Sequence, residues 1–247
     1  MSTFVLVHPA WFGGWCWKKV VGPLRSAGHG VYVPTLTGLG ERAHLANPDV
    51  SLKTHIDDIV NVLVFEDLDA VTLVANSSGG TVITGVAEQA PERLERVVYL
   101  DAFVPADGQS TSDLVAPDRW ATMDQLVQSE GDGWLLPRFS PAPWEPFVRD
   151  AWQVTDEEDL RWVLSRLRPT PVRHFTEPIH LGDAHQGGRP RRVYIRCRGN
   201  NPAPHFDRCA ATAQSSPEWT YRELMLPHLP FITHPDETTQ VLLEVVA

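Results

Sequence analysis

The sequence has 247 residues, which is the length of an α/β domain with a large core. Of these residues 43% are hydrophobic and 21% charged, values typical of globular proteins. Its formal net charge of −10 argues against nucleic acid or an anionic membrane as a partner, because both attract basic surfaces. The chain has no apolar stretch near the ~20 residues of a membrane span and no basic leader before its first strand, so we expect a cytoplasmic protein.

Strand and helix patterns alternate along the chain. Apolar, β-branched runs predict strands at residues 4–7, 31–33, 71–74, 97–100, 193–197 and 219–224. Helical spacing of apolar residues predicts helices at 56–64, after Gly79, and from Pro235 onward, with Ser51 near the first N-cap. Repeated strand–helix–strand units predict an α/β fold with a mostly parallel, doubly wound sheet. The active site of such a sheet lies at the carboxyl ends of its strands.

The segment from about residue 105 to residue 190 breaks the alternation of strands and helices. It lacks any run typical of a buried strand and is rich in proline. It contains five of the nine tryptophans, and we predict that Trp120, Trp134 and Trp144 line a substrate pocket. Alternatively, these rings serve only as the core of a small helical subdomain. The predicted units are an α/β core over residues 1–104 and 191–247 and an inserted helical lid over residues 105–190. An aromatic lid suits a flat, apolar or aromatic substrate.

A candidate nucleophile stands at the end of the predicted strand 71–74. Ser77 is flanked two positions away by Ala75 and Gly79, and a helical pattern follows directly. This arrangement is typical of the strand-to-helix turn that exposes a catalytic serine, which needs small neighbours because the two backbones approach closely. An ordinary strand–loop–helix connection is the alternative interpretation.

A serine hydroxyl needs a base to become a nucleophile, and in hydrolases of this type the base is a histidine after the last strand. His228 follows the predicted strand 219–224 and is our candidate, whereas His234 precedes Pro235 and is expected to cap or pack at the final helix.

Two backbone N–H groups are candidates for stabilising the oxyanion of the transition state. Ser78 lies at a helix N-terminus, and Ala10 lies in the loop after the first strand, where Pro9 has no N–H to donate. In the same loop we expect His8 to hydrogen-bond locally and Trp11 to line the pocket.

Several segments carry a family resemblance: residues 4–8, 13–18, 35–42, 52–58 and 99–105, together with the serine turn. They resemble the α/β-hydrolase branch that contains plant methylesterases and hydroxynitrile lyases, over most of the first 105 residues and again from about Arg192 onward. The resemblance implies an α/β-hydrolase fold with Ser77 as nucleophile, His228 as base, and the N–H groups of Ala10 and Ser78 as oxyanion donors.

The sequence also departs from that family's pattern. Asn76 replaces the usual histidine before the nucleophile, and we assign it to the substrate pocket. Leu229 stands where hydroxynitrile lyases have a lysine, which argues against cyanohydrin cleavage. The usual position of the catalytic acid, within residues 198–202, has no carboxylate.

The acid of the triad must therefore come from elsewhere. Asp101 follows the strand after the nucleophile strand and is our candidate, because its side chain should emerge at the same sheet edge. Asp207 is the second choice, and a charge-poor site with Asn200 is the third. A purely structural role for Asp101, accepting backbone hydrogen bonds from the next loop, also remains open.

These residues predict serine-dependent hydrolysis of a carboxylic ester or lactone of a hydrophobic or aromatic small molecule, without cofactor or metal. Arginine greatly outnumbers lysine, which indicates a GC-rich bacterial genome. Such an origin favours an aromatic natural-product ester as the substrate. One alternative is a lyase, decarboxylase or cyclase that uses His228 as acid and base. Another is a small-molecule binder with a degenerate triad. The chain could act alone or as a homodimer.

Overall fold

A parallel sheet organises the computed structural model, which describes residues 1–137, 141–182, 190–199 and 203–247. The strands in these ranges are β1 (Thr3–Val7), β2 (Gly30–Tyr32), β3 (Val71–Ser77), β4 (Leu94–Ala102), β5 (Leu135–Leu136), β6 (Thr170–Pro171), β7 (Arg191–Cys197) and β8 (Trp219–Leu224). Six of them form one sheet in the order β2-β1-β3-β4-β7-β8, and each neighbouring pair is parallel. The predicted parallel sheet is confirmed.

Helices cover both faces of this sheet. Those described are α1 (Lys18–Ser26), α2 (Leu52–Phe65), α3 (Gly79–Gln89), α4 (Thr111–Leu114), α5 (Pro117–Glu130), α6 (Pro141–Pro146), α7 (Glu157–Leu164), α8 (Arg173–Thr176), α9 (Pro204–Ser215), α10 (Pro230–Thr233) and α11 (Pro235–Val246). Alternate residues of β1 point to opposite faces, so Phe4 and Leu6 join one core with α1 and α11, while Val5 and Val7 join another with α2, α3 and α9. Burial on both faces explains the continuous apolar runs of the strands.

The helix ends follow from local chemistry. Ser51 caps α2, because its hydroxyl accepts a hydrogen bond from the Thr54 N–H while the Thr54 hydroxyl accepts one from the Ser51 N–H. His234 lies at the N-cap of α11, where its Nδ1 is 2.9 Å from the Thr233 hydroxyl. Both placements agree with the sequence predictions.

The segment between β4 and β7 is mostly helical, with one difference from the prediction. It contains α4 to α8, a π-helical turn at Phe147–Ala151, and the short antiparallel pair β5–β6. The sequence analysis expected no strand here, because two-residue strands are too short to produce a periodic pattern. Buried residues of this segment, Trp144 and Leu160 among them, belong to the same core cluster as Phe4 and Val193 of the main sheet. Within the described ranges, every helix is too short or too polar to span a bilayer.

Candidate active site

Ser77 lies at the end of β3 in a strained backbone conformation, with φ of 53°. A non-glycine residue in this left-handed region marks a turn that the surrounding structure enforces. Helix α3 begins two residues later, as the sequence predicted. A methyl group added at Gly80 would lie 2.2 Å from the carbonyl oxygen of Phe103, whereas one added at Gly79 would lie 3.2 Å from the Ala75 Cβ. The closest approach therefore falls at Gly80, and the turn accommodates alanine at position 75.

Asp101 and His228 form a buried hydrogen-bonded pair. The His228 Nδ1–H donates to the Asp101 Oδ2 over 2.7 Å, and the two side chains are 5% and 0% exposed respectively. Because Nδ1 carries this proton, the Nε2 atom of a neutral His228 is free to accept one. Ser77 and His228 line the same cavity. The structure thus brings together the predicted nucleophile, base and acid.

A β-bulge explains how Asp101 reaches His228. Leu100 pairs with Asn76 and Ala102 with Ser77, so Asp101 is the extra residue of β4, and its φ is 47°. Such a bulge redirects a side chain that would otherwise continue the strand alternation. The two strained residues, Ser77 and Asp101, therefore lie on neighbouring strands at one sheet edge.

Arg196 is a residue of this site that the sequence analysis missed. Its guanidinium donates to the Asp101 Oδ1 over 2.6 Å, and the Cys197 N–H donates to the same oxygen over 3.1 Å. Arg196 is only 1% exposed; burial lowers the pKa of its guanidinium, but the Asp101 and Asp207 carboxylates outweigh this and raise the pKa overall. An arginine inside the buried run of β7 was the available sequence signal, because buried arginines are normally paired.

Asp207, the second candidate for the acid, has other partners. Its Oδ1 accepts hydrogen bonds from the Arg196 Nε over 3.0 Å and from Arg198 over 2.5 Å. Asp207 thus contacts Arg196, the arginine that also donates to Asp101. Asn200, the third candidate, lies outside the described residues.

The two predicted oxyanion donors are adjacent and buried. The Ala10 N–H donates to the Ser78 hydroxyl over 2.9 Å, which connects the loop after β1 to the start of α3. Ser78 occupies the N-cap of α3, where backbone N–H groups have no intrahelical partner.

Asn76 is not among the described residues that line the cavity, although the sequence predicted it to be part of the pocket. Its side chain is fully buried, and its amide donates to the Leu100 carbonyl oxygen over 2.8 Å and to the His228 carbonyl oxygen over 3.0 Å. Among the described residues its own Oδ1 has no hydrogen-bond partner. Asn76 therefore connects the backbone beside Asp101 to the backbone of His228, and this correction could not be read from its position before Ser77.

The loop after β1 is held by His8. The Leu36 N–H donates to His8 Nε2 over 3.0 Å, and His8 Nδ1–H donates to the Pro9 carbonyl oxygen over 2.8 Å. Burial lowers the pKa of His8 to about 4, so the ring stays neutral and keeps both bonds at neutral pH. The local role predicted for His8 agrees with this geometry.

The cavity beside Ser77 is lined mainly by apolar and aromatic side chains, as predicted for a flat substrate. Its described lining residues are Trp11, Ser77, Ser78, Phe103, Val115, Arg119, Met123, Phe147, Ala151, Trp152, Phe175, Ala203, His205, Phe206 and His228. Trp11 lies in the wall, as predicted. Trp120, Trp134 and Trp144 are not among these residues, which corrects their predicted placement.

Two of these tryptophans, Trp144 and Trp120, contact rings of the wall. Trp144 is 2% exposed and contacts the Trp11 ring edge-on with centroids 5.6 Å apart, and Trp120 lies 6.0 Å from Phe175. The Trp134 carbonyl oxygen accepts a hydrogen bond from the Val172 N–H beside the β5–β6 pair. The tryptophan rings that line the cavity are instead those of Trp11 and Trp152. Tertiary packing decides which tryptophans face the cavity.

The described part of the chain contains no group of three or more histidine, cysteine, aspartate or glutamate residues arranged to hold a metal ion. Cys16, Cys197 and Cys209 are buried and unbonded.

Comparisons with known proteins agree with this architecture. A profile described as "Alpha/beta hydrolase family" matches residues 4–241. The "Carbendazim hydrolyzing esterase" of Nocardioides sp. (strain SG-4G) is 35% identical over 250 residues, which cover 98% of each protein. "Methyl jasmonate esterase 1" of Vitis vinifera is 26% identical over 260 residues, covering 98% of this chain and 96% of that protein.

A solved structure is also similar. The extracellular alpha/beta-hydrolase from a Paenibacillus species superposes with a TM-score of 0.85 at 24% identity, covering 99% of this chain and 98% of the other. At this level of identity the likeness shows a shared fold.

Proposed function

The chain belongs to the alpha/beta hydrolase family and is a carboxylic ester hydrolase, and from this premise we propose that Ser77, His228 and Asp101 form its catalytic triad. The observation that carries the proposal is the 2.7 Å bond between His228 and Asp101 at the cavity that Ser77 lines. An imidazole oriented by a carboxylate, at the same cavity as a serine, is the arrangement that acyl transfer uses.

The reaction follows in two halves. The Ser77 Oγ attacks the ester carbonyl carbon and gives its proton to the His228 Nε2, while Asp101 stabilises the imidazolium. The tetrahedral intermediate collapses, the ester C–O bond breaks, and the leaving alkoxide takes that proton from His228. Water then attacks the acyl-enzyme with His228 as base, and the carboxylic acid leaves as Ser77 recovers its proton.

The developing oxyanion accepts hydrogen bonds from the Ser78 and Ala10 N–H groups in this mechanism. The Ser78 hydroxyl accepts the Ala10 N–H, so the two donors lie on segments already tied together. We expect the oxyanion to replace that hydroxyl as acceptor, because charge-assisted hydrogen bonds are stronger than neutral ones.

The segment 105–190 acts as a lid in this proposal, and residues 1–104 and 191–247 as the hydrolase core. Support comes from the cavity wall, since Phe147, Trp152 and Phe175 of that segment face Ser77 and His228 across it. The substrate is a small ester with an apolar or aromatic body. The names of the esterase relatives support a small ester as well.

The lyase alternative is not better supported than ester hydrolysis. It was motivated by Asn76 and by the absence of a carboxylate in residues 198–202, and in our proposal Asp101 supplies a carboxylate to His228 from another strand.

Active-site labelling tests the nucleophile. The protein is treated with a fluorophosphonate, and fragmentation mass spectrometry assigns the adduct to Ser77 or to its neighbour Ser78. We expect labelling at Ser77 that Ser77→Ala abolishes and that the matched variant Ser78→Ala retains. An adduct on Ser78, or undiminished labelling of Ser77→Ala, would contradict the proposed triad.

A further inference from the structure

Arg119 is the only charged side chain among the described lining residues, apart from the titratable histidines. It lies on α5, and its guanidinium carbon is 5.8 Å from the centroid of the Phe147 ring. No ion pair joins it to a carboxylate of the described chain. The side chain as a whole is exposed, yet desolvation of its inner part lowers the pKa of Arg119 from its ordinary value. A guanidinium so placed can accept a ligand's negative charge.

His205 is a second polar side chain in the same wall without a hydrogen-bond partner in the described ranges. It lies in the first turn of α9, is 8% exposed, and stacks on Phe103 with centroids 5.3 Å apart and planes inclined by 17°. Burial, followed by the charge of Arg119, lowers the pKa of His205 to about 3, so the ring is neutral at physiological pH. A neutral imidazole can donate one hydrogen bond without adding charge.

Apart from Ser77, Ser78 and His228, the rest of the wall is apolar, which limits what Arg119 and His205 can recognise. Phe103, Phe147, Trp152, Phe175 and Phe206 supply flat surfaces that suit a ring. His205 is buried without a hydrogen-bond partner in the described ranges, and because buried polar groups normally have one, a ligand can supply it. Arg119 is exposed, and its guanidinium is available to a ligand at the cavity. The net charge of −10 means that the protein as a whole repels anions. The positive charge of Arg119 at the cavity therefore matters more for binding an anionic substrate.

We propose that the preferred substrates are aromatic esters that carry a second, anionic group, a carboxylate, bound by the guanidinium of Arg119 with a hydrogen bond from His205. This inference rests on the proposed function, since it places the scissile ester at Ser77. The scissile group and the carboxylate then lie on one ring between aromatic walls. The free acid product of a diester would be such a substrate, so a first ester cleavage elsewhere could supply it.

The test compares two esters that differ in one charge. Monomethyl terephthalate has a carboxylate where methyl 4-carbamoylbenzoate has a neutral amide of similar shape, and the meta isomers extend the series. We expect the wild type to show a kcat/KM about 10- to 100-fold higher for the best carboxylate ester than for its amide, mainly through KM, as a charge-assisted hydrogen bond permits.

Three variants locate the preference. Arg119→Gln should remove it, Arg119→Lys should keep part of it, and His205→Phe, which keeps the stacked ring, should reduce it by about 3-fold or more, as loss of one hydrogen bond permits. Arg166→Gln is the matched control, because Arg166 also lies 5.8 Å over a ring, that of Trp162, but is not among the described residues of the cavity.

The outcomes separate this inference from the triad. Equal kcat/KM for the two esters in the wild type, or an unchanged ratio in Arg119→Gln, overturns the inference while Ser77-dependent hydrolysis upholds the triad. Hydrolysis that survives Ser77→Ala overturns the triad instead. Calorimetric binding of monomethyl terephthalate and of methyl 4-carbamoylbenzoate to Ser77→Ala measures the same charge preference without turnover, and equal affinities would again reject the role of Arg119.

Discussion

Two regions contribute different kinds of residue to one cavity. One is the sheet edge formed by the carboxyl ends of β3 and β4, and the other is the segment between β4 and β7. At the sheet edge Asp101 has several protein partners: His228, Arg196 and the Cys197 N–H. Across the cavity Arg119 forms no ion pair with a carboxylate of the described chain, and its guanidinium carbon lies 5.8 Å from the Phe147 ring centroid. In the proposed mechanism the groups that transfer protons are held by the protein, whereas the proposed substrate-selecting group is left unpaired for the substrate.

Backbone strain occurs in both regions, since Asp132 and Gln153 of the inserted segment have positive φ as Ser77 and Asp101 do. At Ser77 and Asp101 the strained residue is stabilised by a close-packed neighbour or a hydrogen-bonded partner. Such strain persists only where surrounding structure over-determines it, which the central strands β3 and β4 provide. Ser77 and Asp101 should therefore tolerate substitution by larger residues poorly.

The largest expected effect comes from Ser77→Ala, because the sheet edge loses its nucleophile. Removing such a residue typically lowers kcat by ~10⁶, and the melting temperature should not fall because the strained turn keeps its small side chain. Steady-state kinetics with aryl esters and circular dichroism check the two parts. A variant that keeps more than a tenth of the wild-type rate would exclude covalent catalysis by Ser77.

The next effect comes from Asp101→Asn, which leaves His228 without a charged partner. Amide substitution at a triad acid lowers kcat by roughly 10⁴, because it favours the wrong histidine tautomer. The matched control is Asp207→Asn, since Asp207 also contacts Arg196 but forms no hydrogen bond with His228. We expect a loss below about 10-fold there, as for a peripheral charge.

Asn200→Ala belongs in the same kinetic series. If the Asn200 or Asp207 variant loses more activity than Asp101→Asn, the acid has been assigned to the wrong residue.

Arg196→Met should separate the two regions by stability. Removing one partner of a buried ion pair costs about 3–5 kcal/mol in the free energy of unfolding, because Asp101 is left with an uncompensated charge. Arg198→Met, whose carboxylate partners are largely exposed, should lose less than about 1 kcal/mol. Arg119→Met should change stability by only about 0.5 kcal/mol. Urea unfolding measures all three, and equal losses would show that the two regions do not differ in this way.

The last prediction concerns pH and the contact between α2 and the inserted helix α8. His55 of α2 donates its Nε2–H to the Thr37 carbonyl oxygen, and its Nδ1 accepts a hydrogen bond from the Nδ1–H of His174 in α8, 2.9 Å away. Both rings are fully buried; burial is the main cause that lowers the pKa of each, and His174 Nε2 has no hydrogen-bond partner in the described chain.

The sign follows from where the proton binds. The unfolded chain protonates these histidines below their ordinary pKa of about 6.5, whereas the folded chain resists protonation until lower pH. The unfolded state therefore binds more protons, so the free energy of unfolding falls as pH drops below that value, by up to about 1.4 kcal/mol per pH unit for each ring. His174→Gln should flatten this dependence, and His44→Gln, at an exposed position, is the control. A parallel dependence in wild type and His174→Gln would contradict a neutral buried pair.

Local rules explain why much of the fold and the reacting groups could be predicted. The apolar runs of β1, β3 and β7 read as buried strands because both faces of a parallel sheet are covered. The turn at Ser77 needs small residues within a few positions, and chain order places a histidine after the last strand. Asp101 followed from its strand position alone.

Tertiary structure decided everything that depends on which distant groups meet. The ion pair of Arg196 with Asp101 joins residues 95 positions apart, and the amide of Asn76 reaches His228 across 152 positions. The choice of Trp11 and Trp152 over Trp120, Trp134 and Trp144 for the cavity wall likewise depends on packing between elements. Periodicity reports whether a residue is buried, but not what it faces, because contacts distant in sequence leave no local pattern. The unpaired state of Arg119 is such a property, since a charge at the start of a polar helix looks the same in sequence whether it faces solvent or substrate.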